Sequence, residues 1–282
     1  MTHVIRIPVA LAAVATLSFS CGVEQTSDLE IRGGTVVSDG DLTAVRMSTV
    51  ALTTDVAGSS GQSPLSQGKS FCSGTIIGMR TIVTAAHCIQ ALEGRTTKGD
   101  LLFPKAEDYL VHFDTEVSSG GDYIKAAEVI PHPDWNPSQT LSPFPSSRPN
   151  DIGLIILSED IPDYMVPVEI ADAGLEVRGE KAVLAGYGVT RGRNTNDTGV
   201  LRTLENSFSS ESSNIARVSH GSWFKGICAG DSGGPAYAEV DGELQLVGAA
   251  STGIEIPLLG CIGSNSNSTD VRYYKDWINS NK

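Results

Sequence analysis

Histidine, cysteine and positive charge are all scarce in this chain. Its 282 residues hold five histidines and five cysteines, and 20 Lys and Arg stand against 33 Asp and Glu, for a formal net charge of −13. That balance argues against a nucleic-acid partner, because phosphate binding needs a basic surface. The cysteines form no Cys-x-x-Cys pair and none lies close to a second histidine, so their spacing is not that of a metal site. Disulfides, and with them an oxidising compartment, are the better reading. A nearly continuous apolar run, Val9 to Phe19, is about half the length of a membrane span and follows Arg6. Residues 1–20 therefore read as an export signal, with Ser18 and Ser20 as the small residues before a cleavage site. Removing residues 1–30 takes out Arg6, Glu24, Asp28 and Glu30 and leaves the remainder acidic.

Helical periodicity is almost missing. Short apolar runs separated by Gly, Ser and Pro recur instead, and 30 glycines favour turn-rich β structure, so the chain reads as all-β. With 40% apolar residues it can bury one large core or two modest ones. Thr75–Ile77 and Thr81–Thr84 flank a turn at Gly78-Met79-Arg80, and Pro235–Val240 and Glu243–Ser251 flank Asp241-Gly242, a strong hairpin signal. At the end, Asp270 is placed to cap a helix with Val271, Tyr274 and Ile278 on one face.

The chemistry is concentrated in Cys228-Ala229-Gly230-Asp231-Ser232-Gly233-Gly234-Pro235. Glycines around a small nucleophile allow backbone conformations in which amide N–H groups converge beside the Ser232 hydroxyl, as an oxyanion hole requires. A serine needs a base, and the base needs a group that fixes its tautomer. His87, in Ile82-Val83-Thr84-Ala85-Ala86-His87-Cys88, ends an apolar strand, a rigid mount that His3, His112, His132 and His220 lack. Asp151 opens the apolar run Ile152 to Leu157, where a buried carboxylate would need a partner. Chain order then discriminates. In α/β-hydrolases the histidine follows the serine, and no histidine follows Ser232. The subtilisin order needs an aspartate before His87, and Asp39, Asp41 and Asp55 lack an equivalent context.

The segments TAAHC, DIGLI and CAGDSGGP, in that order, resemble the chymotrypsin/trypsin family of serine peptidases, over a stretch from about Ile31 to the C-terminus. The resemblance implies two six-stranded antiparallel β-barrels with the active site in the cleft between them, and a C-terminal helix with Trp277 packed inward. Residues 31–160 would form the first barrel, carrying His87 and Asp151. Residues 161–282 would form the linker and second barrel, carrying Ser232. The inter-barrel connection falls in Ser158–Gly174, and residues 56–70 and 135–150 look like surface insertions, the second overhanging the cleft or simply solvated. The resemblance pairs Cys72 with Cys88 and Cys228 with Cys261. Cys21 is left over. It stands where bacterial lipoproteins carry a lipidated cysteine, but their leucine three places earlier is here Ser18, with Leu17 one step too early. A lipid anchor and an ordinary secreted pro-segment over 21–30 both stay open.

The resemblance makes Ser232, His87 and Asp151 the catalytic triad and the N–H groups of Gly230 and Ser232 the oxyanion hole. It makes Ile31 a new N-terminus, freed by cleavage, whose amine pairs with Asp231. Glu30 departs from the Lys or Arg that many relatives carry there, so a glutamate-tolerant activating peptidase or autolysis is implied. Gly226 stands six residues before Ser232, where trypsin-like members have a pocket-floor aspartate. With Ile227 beside it, and Ser251, Thr252, Gly253 and Ser266 as walls, the substrate pocket is expected to be uncharged unless Glu255 or Asp270 reaches it. The expectation is an exported serine endopeptidase acting on protein or peptide substrates through an acyl-enzyme, with no cofactor, no metal, no nucleic acid, and the membrane involved only through Cys21. The alternative is a non-catalytic binding protein on the same scaffold, which a chain never cut at Glu30 would remain.

Overall fold

In a computed structural model of the chain, the residues described are 34–41, 43–56, 62–90, 94–95, 101–102, 105–137, 148–190, 197–222, 225–256 and 260–282. In chain order they form β1 (Thr35–Val36), α1 (Ala44–Ser48), β2 (Thr49–Thr53), β3 (Cys72–Gly78), β4 (Thr81–Thr84), α2 (Ala86–Ile89), β5 (Gly94–Arg95), β6 (Leu101–Leu102), β7 (Leu110–His112) and β8 (Tyr123–Pro131). Then come β9 (Gly153–Leu157), β10 (Lys181–Gly186), β11 (Arg202–Ser212), β12 (Arg217–His220), β13 (Pro235–Val240), β14 (Glu243–Ile256), β15 (Gly260–Asp270) and α3 (Lys275–Asn281).

Two closed six-stranded antiparallel barrels result. The first runs β2-β3-β4-β9-β8-β7 and back to β2. The second runs β11-β10-β13-β14-β15-β12 and closes through β12–β11 pairing, with β1 added outside β11. Local sequence explains the strands. In β8, Tyr123 and Lys125 are exposed while Ile124 and Ala126 are buried, the two-residue alternation of a strand with one face in the core. In β9 the run Gly-Leu-Ile-Ile-Leu is buried almost throughout, which its lack of polar residues permits. Asp241 and Gly242 both take positive φ (53° and 86°), the geometry of the tight turn expected between β13 and β14.

Each barrel has its own apolar core: Val50, Ile76, Ile82, Val111 and Leu157 in the first, Leu184, Leu204, Phe208, Val218 and Val247 in the second. A further cluster joins them, with Val83 and Leu154 from one and Val183, Tyr187 and Tyr237 from the other. The two tyrosines also reach across with their hydroxyls, Tyr237 to Ser48 (2.7 Å) and Tyr187 to the Asp114 carbonyl (2.8 Å).

The C-terminus differs in detail from its sequence pattern. Asp270 does cap, accepting from the Arg272 N–H, but the turn it caps is a 3₁₀ turn over Val271–Tyr274, and the α-helix starts only at Lys275. Val271, Tyr274 and Ile278 are buried as the spacing predicts. Trp277 is half-buried, its ring 4.9 Å from His132 of the first barrel. The last helix thus packs back across the molecule and braces the segment that leads to Asp151.

Candidate active site

His87 sits on α2, a single helical turn directly after β4, and Asp151 immediately precedes Ile152 and β9, the partner of β4. Pairing of Thr84 with Gly153 therefore brings the two side chains together from 64 residues apart. The residue before Asp151, Asn150, has φ of 59°, a left-handed conformation that asparagine tolerates. Its carboxamide oxygen accepts from Tyr274 Oη at 2.9 Å, so the C-terminal segment holds the bend that turns Asp151 inward.

Asp151 is fully buried. Its Oδ2 faces His87 Nδ1 at 2.8 Å and also accepts from Ser251 Oγ at 2.5 Å, while Oδ1 accepts from the His87 N–H at 3.0 Å. Burial pushes this carboxyl up, but the charge and hydrogen bonds of His87 and the bond from Ser251 outweigh it and hold Asp151 below the usual carboxylate range. The carboxylate therefore orients the imidazole through two bonds, one to the ring and one to its own backbone.

The nucleophile loop lies opposite, folded as two tight turns in which Asp231 N–H donates to the Cys228 carbonyl (3.1 Å) and Gly234 N–H to the Asp231 carbonyl (2.9 Å). Gly230 takes φ of 95°, which a side chain would resist. The Ala229 carbonyl accepts from Val189 N–H at 2.9 Å, which turns the other end of that peptide, the Gly230 N–H, the opposite way. Among the described residues neither the Gly230 nor the Ser232 N–H is used in a hydrogen bond, so both donors stand open beside the half-buried Ser232. The two disulfides brace this arrangement. Cys72–Cys88 ends beside His87, with the Cys88 sulfur 3.6 Å from the Ser232 carbonyl, and Cys228–Cys261 anchors the start of the loop. Cys72, His87 and Cys88 bring potential metal-ligand atoms within 4.8 Å of one another, but both sulfurs are spent in the disulfide.

The family model described as Trypsin matches residues 53–278, most of the chain. The chain belongs to the trypsin family. It is a serine endopeptidase, a hydrolase. It is similar to Serine protease 1 of Canis lupus familiaris, 29% identical over 232 residues that cover 77% of this chain and 82% of the relative, and to Trypsin of Sus scrofa, 29% over 237 residues covering 77% and 87%. A CLIP domain-containing serine protease B15 of Anopheles gambiae matches at 27% over 235 residues, covering 73% and 60%.

Asp231, the residue before Ser232, is fully buried. Its oxygens accept from the N–H groups of Gly188 and Cys228, both at 2.8 Å. Burial pushes its carboxyl up to about 6 against the pull of those two N–H groups and of Arg202. The carboxylate fits only because residue 188 is glycine, since a Cβ there would lie 2.6 Å from the Asp231 carboxyl carbon. Ile31, expected to pair with Asp231, lies outside the described residues, as do Glu30 and Cys21.

Of the residues expected to form the pocket, the structure gathers Ile227, Gly253 and Ser266. Ile227 N–H donates to Ser266 Oγ at 3.2 Å, and a Cβ at Gly253 would lie 3.1 Å from the Ile227 carbonyl oxygen. Gly226 is buried next to them. Thr252 is held by Asn267, whose Nδ2 donates to its Oγ1 at 3.2 Å. Ser251, expected as a pocket wall, has its hydroxyl committed to Asp151. Asp270 is committed as well: Arg272 Nε and Nη2 donate to it at 2.8 and 2.7 Å, and Nη2 also reaches Glu211. The Glu255 side chain is outside the described residues, as is most of the 135–150 segment. Sequence reasoning passed over Asn150, Gly188 and Thr269, whose Oγ1 donates to the Asp151 carbonyl at 2.9 Å. None of these carries a local motif, so no signal in the sequence points to them.

Proposed function

We propose that the protein is an exported endopeptidase in which Ser232 attacks the peptide carbonyl, His87 takes the Ser232 proton and returns it to the leaving amine, and Asp151 orients and stabilises the imidazolium. The N–H groups of Gly230 and Ser232 receive the oxyanion. The observation that carries this reading is the pairing of His87 and Asp151 at 2.8 Å on one barrel, facing a serine on the other whose flanking N–H groups are unspent. No hydrogen bond joins His87 Nε2 to Ser232 Oγ among the described residues. In sites of this kind that bond often tightens only with substrate bound. The disulfides fit an oxidising compartment and hence export of the chain by residues 1–20.

Activation follows from Asp231. Its carboxyl is pushed up to about 6 by burial, and a cation brought to it would be strongly favoured. Cleavage after Glu30 supplies one in the Ile31 amine, and this orders the loop around Ser232. If Cys21 is lipidated, the same cut releases the enzyme from its anchor. The pocket floor around Gly226, Ile227 and Ser266 is uncharged, so specificity is for uncharged side chains. A fluorophosphonate probe tests the reading: protein beginning at Ile31 is expected to be labelled covalently at Ser232, and the uncut chain only weakly. Absence of labelling in the cut form would favour the non-catalytic scaffold instead.

A further inference from the structure

Ser73, at the second position of β3, has no part in the triad, yet four hydrogen bonds converge on it from both barrels. Its carbonyl accepts from Thr84 Oγ1 at 2.8 Å, fixing it to β4 within the first barrel. Its N–H donates to the Ser232 carbonyl at 2.8 Å. Its hydroxyl donates to the Gly230 carbonyl at 2.9 Å and accepts from the Tyr187 N–H at 3.0 Å. The side chain is fully buried, so water cannot replace any of these partners.

We propose that Ser73 is a positioning residue of the oxyanion hole, clamping the carbonyls of Gly230 and Ser232 from the opposite barrel so that the two N–H groups of the loop keep their aim. The inference rests on the proposed role of those N–H groups. It goes beyond that role in assigning what holds them. A peptide group is planar, so a carbonyl pinned at one end leaves its N–H no freedom to rotate. The Ala229–Gly230 peptide, which carries the Gly230 N–H, is pinned by Val189; the Asp231–Ser232 peptide, which carries the Ser232 N–H, lies between two carbonyls that Ser73 holds, that of Gly230 on its hydroxyl and that of Ser232 on its N–H. With the Ser232 carbonyl on the Ser73 N–H, the loop is tied on both sides of Asp231. Ser73 also follows Cys72, whose disulfide partner Cys88 follows His87. One rigid unit therefore carries the histidine and grips the hole, which fixes their separation.

The test compares wild type with Ser73→Ala, which leaves the backbone bonds and removes only the hydroxyl. Loss of an oxyanion donor itself costs about 10²–10³ in kcat. Loosening one through its neighbour is expected to cost about 10- to 100-fold in kcat, with KM for a peptide amide nearly unchanged. Affinity for a peptide aldehyde, whose hemiacetal oxygen occupies the hole, should fall by a similar factor. A merely structural role would lower the melting temperature and leave aldehyde affinity and kcat of the folded fraction alone. Wild-type activity with Ser73→Ala unaffected in kcat and aldehyde affinity overturns the proposal for Ser73 alone. Wild type that neither turns over substrate nor is labelled overturns the reading of the site beneath it. Should Ser73→Ala fail to fold, hydrogen exchange of the wild type decides: the Tyr187 and Ser73 amides are expected to be protected like the barrel strands, and exchange at loop rates would remove the clamp.

Discussion

Ser251 Oγ lies 2.5 Å from the same carboxylate oxygen of Asp151 that faces His87 Nδ1, so one oxygen serves the second barrel and the histidine together. The second barrel thereby helps to build the charge that acts on the first. An aspartate bonded in this way can only accept, and its carboxylate stays ionised.

For the triad, Ser232→Ala and His87→Ala are each expected to lower kcat by about 10⁶, since residues that act as a unit fail together. Asp151→Asn should cost about 10⁴, because an amide presents N–H to the ring nitrogen that must keep its own proton. Ser251→Ala should cost less, about 10-fold, the loss of one hydrogen bond to a charged group among several. Steady-state hydrolysis of a peptide substrate measures all four. Near wild-type turnover in any of the first three would remove the mechanism.

Gly188→Ala tests the Asp231 nest. The new Cβ would lie 2.6 Å from the Asp231 carboxyl carbon and 2.7 Å from its backbone nitrogen, so backbone has to move. Overpacking of this kind costs about 1–3 kcal/mol of stability. Activity is expected to fall more than stability does, because the displaced atoms belong to the nucleophile loop. Denaturant unfolding and kcat on one preparation separate the two effects. An active variant with unchanged stability would show that the loop has slack here.

Among the described residues, three imidazoles and two carboxyls have shifts that bear on stability above pH 4. Burial lowers His112 and His220 from 6.5 to about 4 each, so the folded chain keeps them neutral while the unfolded chain protonates them. Their contribution is present above 6.5 and is lost as pH falls toward 4. Asp231 runs the other way: raised from 3.8 to about 6, it favours folding when protonated, and its contribution is lost as pH rises through 6. Burial lowers His132 in the same direction as the other two imidazoles and raises Asp270 in the same direction as Asp231, so three groups that take up protons on unfolding stand against two that release them. Stability should therefore fall as pH drops from 6 toward 4. His220→Gln should make that fall shallower. Chemical denaturation from pH 4 to 7 measures it, and a stability that rises on acidification would mean that the histidines are not held neutral. In the cut form an Ile31 amine on Asp231 would keep the carboxylate charged and steepen the fall.

A peptide library should show poor cleavage after Lys or Arg. Ile227, Gly253 and Ser266 offer no carboxylate, and Asp270 is already occupied by Arg272. Burying an unpaired cation costs several kcal/mol, and each 1.4 kcal/mol is tenfold in rate. Small or medium aliphatic side chains are expected to lead the profile. One dominated by Lys or Arg would mean that an acid such as Glu255 reaches the pocket.

The order of the three motifs and the all-β class could be read from the chain alone, because each depends on local chemistry, and the two barrels came with the family resemblance that those motifs carry. Glycines around Ser232 permit a loop that other residues forbid, apolar runs such as Gly153 to Leu157 have nowhere to go but a core, and the hairpin at Asp241-Gly242 announces its own turn. The contacts of Ser251, Gly188 and Ser73 could not be read in the same way. Ser251 was expected only as a pocket wall, and its hydroxyl also serves a carboxylate 100 residues earlier. Ser73 bonds to a carbonyl 157 residues away, and a serine after a cysteine in a strand looks like any other. Nothing short-range distinguishes such residues: the partners of Ser251 and Ser73 come from the other barrel and meet them only when the two closed sheets dock, and Gly188 meets Asp231, 43 residues on, only when the second barrel closes. The identity of the reacting groups is thus written along the chain, and their alignment is decided by the interface between the barrels.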